Sequence, residues 1–569
     1  MTTQAAVRMP GTVRRRVRAA WRPAVAVLAV AGLFTLYWRQ SGSVAVSSDG
    51  ASVVLQARAV LHGNLLLHNW RIADVSFYTT ELPQYALIES VLGLGAQVVH
   101  VGAAMTYTLL VLLAALLAWG GRPPPNPLRS FPGGTSSPQT PLGKSCPSPR
   151  APLAGWTRAL LAAGVMIAPQ LSATQILLLS PDHTGTAVAV LVTWLMIDRV
   201  TPDRWKAARW LVPLAVFVIM TWTMIGDSIV LLTCIAPLVL VVFIRSFPGL
   251  IRRGERPASR WYEMSLAGAA AAAGGLGWAA PRVIAALGGY RQAPVESDTT
   301  MAALHHQAWV TFQAVLELFG ANVYDARPGI ETVFAWLHLA GAILVICALI
   351  LALGGLYRFQ DLVVSVFAVA IVINVGTYMF SSHALDVLGA REIAAVLPLG
   401  AVLVGRVLAE PLLNLGRAKI RLLPALAVVV AAGYLGALAY GAAQPPAPPA
   451  NQPLASWLVA RGLTNGLASY WQANSTTLAS GGRVQVSAVT VGPGDEFVPY
   501  EWETDDANYD PSRYDATFLV ADGPGQLAGA RPAALRTFGP PRRIYSYDGY
   551  TIMVWDTNLL SRLGHPGLI

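Results

Sequence analysis

The chain of 569 residues is 54% apolar and only 12% charged, with a mean hydropathy of +0.50, and this balance excludes an ordinary soluble protein. The net charge of +10 does not indicate nucleic-acid binding, because the last 126 residues carry eight basic and eleven acidic residues, and the positive charge lies in alternate loops between apolar segments. The three cysteines are scattered, so neither a disulfide framework nor a cysteine metal site is expected.

Apolar segments long enough to cross a bilayer recur along most of the chain. The first follows a basic N-terminal region and lacks a convincing cleavage site, so we expect an uncleaved span rather than a signal peptide. Eleven transmembrane helices are predicted, at about residues 23–38, 86–119, 158–179, 184–198, 210–225, 228–244, 262–287, 331–356, 361–380, 393–409 and 422–442.

The distribution of basic residues predicts which ends of the spans face the cytoplasm. With the N-terminus inside, the cytoplasmic segments contain 24 Lys and Arg residues and the external loops contain six. The odd number of spans then places residues 444–569 outside. Only three of the 40 basic residues are Lys, a bias typical of a GC-rich bacterial genome. We therefore predict a multi-pass protein of a bacterial plasma membrane, with a cytoplasmic N-terminus and an extracytoplasmic C-terminal domain.

The first external loop, residues 39–85, is too long for a simple connector and is rich in polar and aromatic side chains. A helix start at residues 47–50 is followed by an apolar stripe at residues 53–61 and by Gly63 as a stop. This pattern predicts an amphipathic helix along the membrane surface, with Asp49 at its head. Asp49 is the candidate catalytic base, and the alternative is that it only caps the helix.

The segment 121–157 is predicted to be a disordered cytoplasmic loop, because its Pro, Gly and Ser content cannot bury enough apolar surface to order it. The residues on both sides of it belong to a transmembrane domain that covers residues 1–443.

Residues 444–569 follow a Pro-rich linker and are predicted to form a small extracytoplasmic α/β domain. A short helix is expected at 454–460, with strands at 484–487 and 517–520 and a hairpin around Asp548-Gly549. The aromatic residues of this domain, Tyr470 and Trp471 among them, are expected in its core or partly as a sugar platform.

Several short polar turns are predicted on the same outer face as the first loop. They contain His183, Asp227 and Arg391, and a longer loop covers residues 288–330. A charge deep in a bilayer costs about 2.5–3.5 kcal/mol, so such residues persist more cheaply at the interface. If these turns converge, they form a polar cavity at the outer surface. The alternatives are that Arg391 is a snorkelling anchor and that His183 is a satisfied interfacial side chain.

The order of these features resembles the GT-C class of polytopic glycosyltransferases, especially actinobacterial members that use polyprenyl-phosphate sugars. The resemblance covers nearly the whole chain outside the Pro-rich loop. Its segments are SSDG and HNWRIADVSFYTTELPQY in the first loop, then PDHTGTAVAVLVTWLMIDR, MIGDSIVLLTCIAPLVLV, WVTFQAVLELFGANVYDARPG and AREIAAVLPLGAVLVGR, and finally GLASYWQAN, RVQVSAV and YDPSRYDATFLVAD in the tail.

The resemblance places the family's loop acid on Asp49. Many relatives have a second acid beside it, but Gly50 stands there in this chain, so Asp74 or Glu81 is expected to take that part. The resemblance leaves open whether a divalent cation is used, and no metal ligands are assigned. The residues expected to bind the donor are Arg391, His183 and Asp227. Those expected to bind the acceptor or a sugar are Asp74, Trp70, Tyr78 and Glu81.

The resemblance implies an inverting hexosyl- or pentosyltransferase that moves a sugar from a polyprenyl-phosphate donor to a cell-envelope acceptor, a glycan or a lipid, on the outer face of the membrane. In this scheme Asp49 takes a proton from the acceptor hydroxyl, and Arg391 offsets charge on the departing phosphate. The alternatives are a lipid-linked glycan polymerase or ligase and a membrane transporter or flippase. A transporter is disfavoured because its ionisable groups typically lie near mid-membrane.

Overall fold

The computed structural model describes residues 11–120, 150–179, 183–202, 205–246, 257–294, 299–355, 361–417, 422–492, 494–522 and 530–564. Most of the predicted disordered loop at 121–157 lies outside these residues. Its end is wrong, however, because a helix already begins at Arg150. In that helix Trp156 packs edge-on against Trp119, with 4.3 Å between ring centroids, which extends the helix beyond the predicted span.

Helices form most of the described chain. They are α1 (Gly11–Ser41), α2 (Ser48–Leu61), α3 (Leu82–Leu92), α4 (Gln97–Trp119), α5 (Arg150–Met166), α6 (Thr174–Leu177), α7 (Thr184–Arg199), α8 (Ala208–Gly226), α9 (Ala236–Ser246), α10 (Pro257–Ala286), α11 (Leu304–Leu318), α12 (Ile330–Gly354), α13 (Leu362–Met379), α14 (Val396–Leu403), α15 (Ala409–Arg417), α16 (Leu422–Ala442), α17 (Gln452–Ala460), α18 (Tyr470–Ala479) and α19 (Ala530–Phe538). Short π-helical segments at Leu231–Ile235 and Val404–Leu408 continue into α9 and α15, and a 3₁₀ segment covers Val387–Ile393.

Seven helices in the described part of the chain are long and apolar enough to cross a membrane, which supports a multi-pass membrane protein. They are Pro23–Ser41, Gln97–Trp119, Ala208–Gly226, Ile330–Gly354, Leu362–Met379, Val396–Leu415 and Ala425–Ala442, and a shorter apolar helix covers Leu231–Ser246. Helices α5, α7 and α10 occupy the other predicted positions. The total of eleven spans is not confirmed and stays a prediction.

Two of the predicted spans are not continuous helices. The one at 86–119 divides into α3 and α4, because Gly93 leaves the helical conformation with a φ of 78°. The one at 158–179 is interrupted after Met166, and its chain resumes only as the single turn α6. Both breaks contact the start of the first loop: Leu94 packs against the cluster that contains Val46, and the Gln40 side chain donates a hydrogen bond of 3.0 Å to the Pro169 carbonyl.

The C-terminal region contains a six-stranded sheet with the order β5-β4-β3-β7-β9-β8. Its strands are β3 (Asn465–Ala468), β4 (Gln485–Val491), β5 (Phe497–Pro499), β7 (Phe518–Asp522), β8 (Arg543–Tyr547) and β9 (Tyr550–Val554). Strand β3 pairs in parallel with β4 and β7, and the other pairs are antiparallel. The predicted hairpin is confirmed, since Asp548 and Gly549 both have positive φ, as a two-residue turn of type I′ requires.

A second, three-stranded sheet joins the first loop to the C-terminal region. Strand β1 (Trp70–Ile72) pairs in parallel with β2 (Arg291–Gln292) and antiparallel with β6 (Thr504–Asp505). Beside it, the Arg71 guanidinium lies 2.9 Å from carboxylate oxygens of both Glu501 and Asp506. The C-terminal region is therefore fixed on the first loop by backbone pairing and by charge.

Helix α2 forms as predicted, but its apolar face packs against protein rather than lying along a lipid surface. Ala51, Val54 and Ala57 are fully buried, and α2 packs against α3 and α18. Ser47 is the N-cap, and its side chain accepts a hydrogen bond from the Gly50 amide. The alternative that Asp49 only caps α2 is therefore wrong.

Candidate active site

Asp49 lies in the first turn of α2, where its carboxylate meets groups from two distant parts of the chain. Arg391 Nη1 is 3.3 Å from Asp49 Oδ2, and the Tyr470 hydroxyl donates a hydrogen bond to Asp49 Oδ1. The Asp49 and Arg391 side chains are 30% and 46% exposed. Both Asp49 oxygens thus have a partner, and the side chain remains partly accessible to solvent, as a proton acceptor must be.

Arg391 belongs to the 3₁₀ segment Val387–Ile393, which packs against α11. The segment begins at Asp386, whose side chain accepts a hydrogen bond from the Gly389 amide. Arg391 Nε is also 3.8 Å from Glu392 Oε1, so the guanidinium lies between two carboxylates. A cation with this exposure and this fork of donors can bind a phosphate.

His183 forms a second charged cluster with Asp227 and Glu392. Its Nδ1 is 2.9 Å from Asp227 Oδ2 and its Nε2 is 3.2 Å from Glu392 Oε2, and its side chain is 4% exposed. Burial alone would lower the pKa of His183, but the two carboxylates outweigh it and raise that pKa well above 6.5. Burial likewise would raise the pKa of Glu392, and the His183 cation instead holds it at about 2. An imidazolium therefore lies between two carboxylates at neutral pH.

Asp227 is held tightly in this cluster. It follows the end of α8 and accepts hydrogen bonds from the Thr186 hydroxyl and from the Ile229 amide, the latter at 2.9 Å. Its side chain is fully buried. The structure thus brings His183 and Asp227 together, but they face each other rather than an open cavity, and they connect to Arg391 through Glu392.

Asp74, one of the two candidates for the second acid, lies near the His183 cluster. Burial raises the pKa of Asp74, Glu392 raises it further, and His383 and His183 partly offset the rise. The backbone carbonyl of Asp74 accepts a hydrogen bond from Gln292 at 3.0 Å. The charges of Glu392 and His183 therefore both act on the Asp74 carboxyl group.

Glu81, the other candidate, is fully buried. Its Oε1 accepts a hydrogen bond of 2.9 Å from the Gly185 amide, and burial raises its pKa to about 7. Glu81 therefore supports the turn that carries His183, and protein covers it from solvent.

The contact between Glu81 and Gly185 predicts the effect of adding one methyl group. A Cβ on Gly185 would overlap Glu81 Oε1, so we expect Gly185→Ala to displace Glu81 and lower the thermal unfolding temperature. Gly164→Ala is the matched control, because a Cβ there would meet nothing within 4 Å. Equal unfolding temperatures for the two purified variants would contradict this packing.

The aromatic residues expected to bind sugar are packed in protein. Trp70 is 6% exposed within β1. Tyr78 donates its hydroxyl to the Leu65 carbonyl, and its ring lies 5.1 Å from that of Tyr290. The Trp70 ring therefore offers no open face of the kind that stacks on a sugar, whereas Tyr78 is only partly buried.

Three residues that the structure brings to the site were not among the predicted site residues: Tyr470, Glu392 and Glu503. Tyr470 is 9% exposed and thus in a core, as expected for the tail aromatics, but its hydroxyl bonds to Asp49. Glu503 is buried within the electrostatic field of Asp49 and Arg391. The adjacency of Glu392 to Arg391 was the only signal available for any of the three.

The described residues contain no group of three or more His, Cys, Asp or Glu side chains arranged to hold a metal ion. His183, Asp227 and Glu392 come together as an ion-paired group, and a protonated imidazole has no lone pair to offer a metal. The question of a divalent cation stays open.

No protein-family model matches the chain, and no curated protein matches its sequence. Among solved structures, its fold is similar to the crystal structure of ArnT from Cupriavidus metallidurans bound to undecaprenyl phosphate. The TM-score is 0.53 at 13% sequence identity, and the similarity covers 95% of this chain and 99% of that chain. The predicted GT-C-like membrane fold with a small C-terminal β-sheet region is thereby confirmed.

Proposed function

On the basis of this GT-C fold, we propose that the chain transfers a sugar from a polyprenyl-phosphate donor to an acceptor of the cell envelope, on the outer face of the membrane. The observation that carries the proposal is the pair formed by Asp49 and Arg391, which meet at 3.3 Å across 342 residues of sequence and both remain partly exposed. A proton acceptor and a phosphate-binding cation are the two groups that this transfer requires.

A lipid-linked donor agrees with the surroundings of Arg391. ArnT was solved with undecaprenyl phosphate. In a 3₁₀ helix, side chains three residues apart lie on the same face, so Leu388 lies on the face of Arg391. Leu388 and Leu385 are 45% and 72% exposed. A donor with its phosphate at Arg391 can therefore extend its apolar chain over these leucines toward lipid.

In the proposed reaction, Asp49 Oδ2 takes the proton of an acceptor hydroxyl. The acceptor oxygen attacks the anomeric carbon from the side opposite the phosphate, so the bond between that carbon and the phosphate oxygen breaks with inversion. Arg391 offsets the charge on the departing polyprenyl phosphate. In the structure Arg391 pairs with Asp49. The donor phosphate competes for this cation and so frees Asp49 to accept the proton.

The His183 cluster supports Arg391 in this scheme. Glu392 would otherwise be a second counter-ion for Arg391, but its charge is largely balanced by the buried His183 imidazolium. Arg391 therefore keeps more of its attraction for a phosphate.

The direct test is to incubate the purified protein with a panel of polyprenyl-phosphate sugars and cell-envelope acceptors. Formation of a glycosylated acceptor together with free polyprenyl phosphate would support the proposal. Movement of a lipid-linked glycan across proteoliposomes without transfer would instead support the flippase alternative, and growth of a lipid-linked glycan chain would support a polymerase.

Replacing Arg391 by alanine should weaken binding of the donor. A charge-assisted hydrogen bond contributes about 1.5–3 kcal/mol, so KM for the donor is expected to rise about 10–100-fold. Arg391→Lys keeps the charge but lacks the forked guanidinium donors, so its donor KM should lie between those of wild type and Arg391→Ala. The control is Arg327→Ala, which removes an exposed arginine outside the Asp49–Arg391 pair. An unchanged donor KM in Arg391→Ala would contradict the phosphate-binding role.

A further inference from the structure

Glu503 is a carboxyl group that the C-terminal region brings to the Asp49–Arg391 pair. It directly precedes β6, and the pairing of Thr504 with Arg71 and of Asp505 with Trp70 fixes its place beside the first loop. Its φ of 50° is left-handed, which is uncommon for a glutamate, and its carbonyl accepts a hydrogen bond of 3.0 Å from Asn474. Residues held in such conformations cluster at functional sites.

The side chain of Glu503 is enclosed by the elements that form the candidate active site. The residue is 5% exposed, and Ser52 on α2 and Ala73 after β1 lie close enough to its carboxyl group to favour the ionised form. Within the described residues, Glu503 Oε2 is buried with no hydrogen-bond partner. A buried carboxylate with an unsatisfied oxygen is costly, whereas a neutral carboxylic acid is tolerated much better.

Several charged and titratable groups face Glu503, and together they favour its neutral form. Burial raises its pKa to about 8, with Asp49 as the next cause of the rise, while Ser52, Arg391 and Ala73 act in the opposite direction. The groups that face it are Asp49 from α2, Arg391 from the 3₁₀ segment and Tyr470 from α18, and the acids nearest to it along its own segment are Glu501, Asp505 and Asp506.

We propose that Glu503 is a positioning residue of the active site, a carboxylic acid kept neutral beside Asp49 so that it does not compete with the donor phosphate for Arg391. This inference rests on the proposed function. When Glu503 loses its proton, a second negative charge competes for Arg391 and repels the phosphate. The contact between the first loop and the C-terminal region therefore sets the pH range in which the donor binds.

The test is the pH dependence of the donor KM in the full-length protein. In wild type, the donor KM should rise about tenfold when the pH passes through 8. The reason is repulsion between ionised Glu503 and the donor phosphate, taken as two unit charges about 10 Å apart at an effective dielectric constant of about 20. In Glu503→Gln, which is neutral at every pH, this rise in KM should be lost. Glu496→Gln, the same change at an exposed site, should retain the wild-type profile. A Glu503→Gln profile that still rises would overturn the proposal.

A milder second variant covers the case in which Glu503→Gln does not fold. Ser52→Ala removes a hydroxyl group that favours the ionised form of Glu503, so the rise in donor KM should shift to higher pH. A rise that stays at the wild-type pH would overturn the proposal.

A measurement that needs no activity separates this proposal from the proposed function. Infrared difference spectra of the wild type should show a protonated carboxyl band that disappears near pH 8, and Glu503→Gln should lack that band. If the wild type transfers no sugar from any donor but the band is present, the proposed function fails while the neutral state of Glu503 is established. If the band is missing in an active wild-type protein, the present inference fails alone.

Discussion

Replacing Asp49 by asparagine is expected to lower kcat for sugar transfer by about 10²–10⁴-fold, the usual contribution of a general base. Asparagine has nearly the same shape, and its side-chain oxygen can still accept the hydrogen bond that Tyr470 donates to Asp49. It cannot take a proton from the acceptor hydroxyl. Because the substitution also removes the counter-ion of Arg391, KM for the donor should not rise. Steady-state kinetics with the purified protein separate the two constants.

The matched control for this experiment is Asp556→Asn. Asp556 pairs with Arg542 on the surface of the C-terminal region, with both side chains about 60% exposed, and such exposed pairs contribute little. We expect this variant to keep the wild-type kcat. An Asp49→Asn protein that unfolds at the wild-type temperature and retains the wild-type kcat would show that Asp49 is not the base.

The contact between Asp49 and Arg391 illustrates how far the sequence leads. The positive-inside rule assigned both residues to one face of the membrane, and that restricted the polar groups that could meet. No sequence pattern specifies that two residues 342 positions apart come within 3.3 Å, because that distance depends on how α2 and the 3₁₀ segment pack in the bundle.

His183 and Asp227 show a different limit. The sequence identified both as polar residues in turns where charge is unexpected, and both lie near Arg391 in the structure. A polar residue in an apolar chain can face either a ligand or a partner within the protein. Here the two face each other and exclude solvent, and only the structure distinguishes these cases.

Tyr470 and Glu503 could not be predicted as site residues for a further reason. Strands β1 and β6, which align the C-terminal region with the first loop, contain three and two residues. Such strands are too short to show the alternation that identifies a strand in a sequence. The side chains that this pairing delivers to Asp49 therefore belong to segments that are typical of an ordinary domain core.

The second large effect expected is on stability, from replacing His183 by asparagine. Asp227 would then be buried without its cation, while Glu392 would keep only Arg391, and breaking a buried ion pair in this way costs about 3–5 kcal/mol of unfolding free energy. Asparagine is preferred over alanine for this test because His183 has a φ of 58°, a conformation that asparagine tolerates. The backbone then contributes little to the difference. Thermal unfolding in detergent, followed by tryptophan fluorescence, measures the loss.

The stabilisation by His183 and Glu392 depends on pH, and the direction follows from their pKa shifts. The pKa of His183 is raised in the folded protein, so its contribution is fully present below about pH 6.5 and is lost as the pH rises through the raised value. The pKa of Glu392 is lowered to about 2, so its contribution is present above about pH 4.5 and is lost as the pH falls toward 2. The stability difference between wild type and His183→Asn should therefore be largest between about pH 4.5 and 6.5. The control is His305→Asn, at an exposed histidine of α11, whose stability should not differ from wild type in this pH range. If His183→Asn unfolds at the wild-type temperature across the same range, the buried imidazolium does not stabilise the fold.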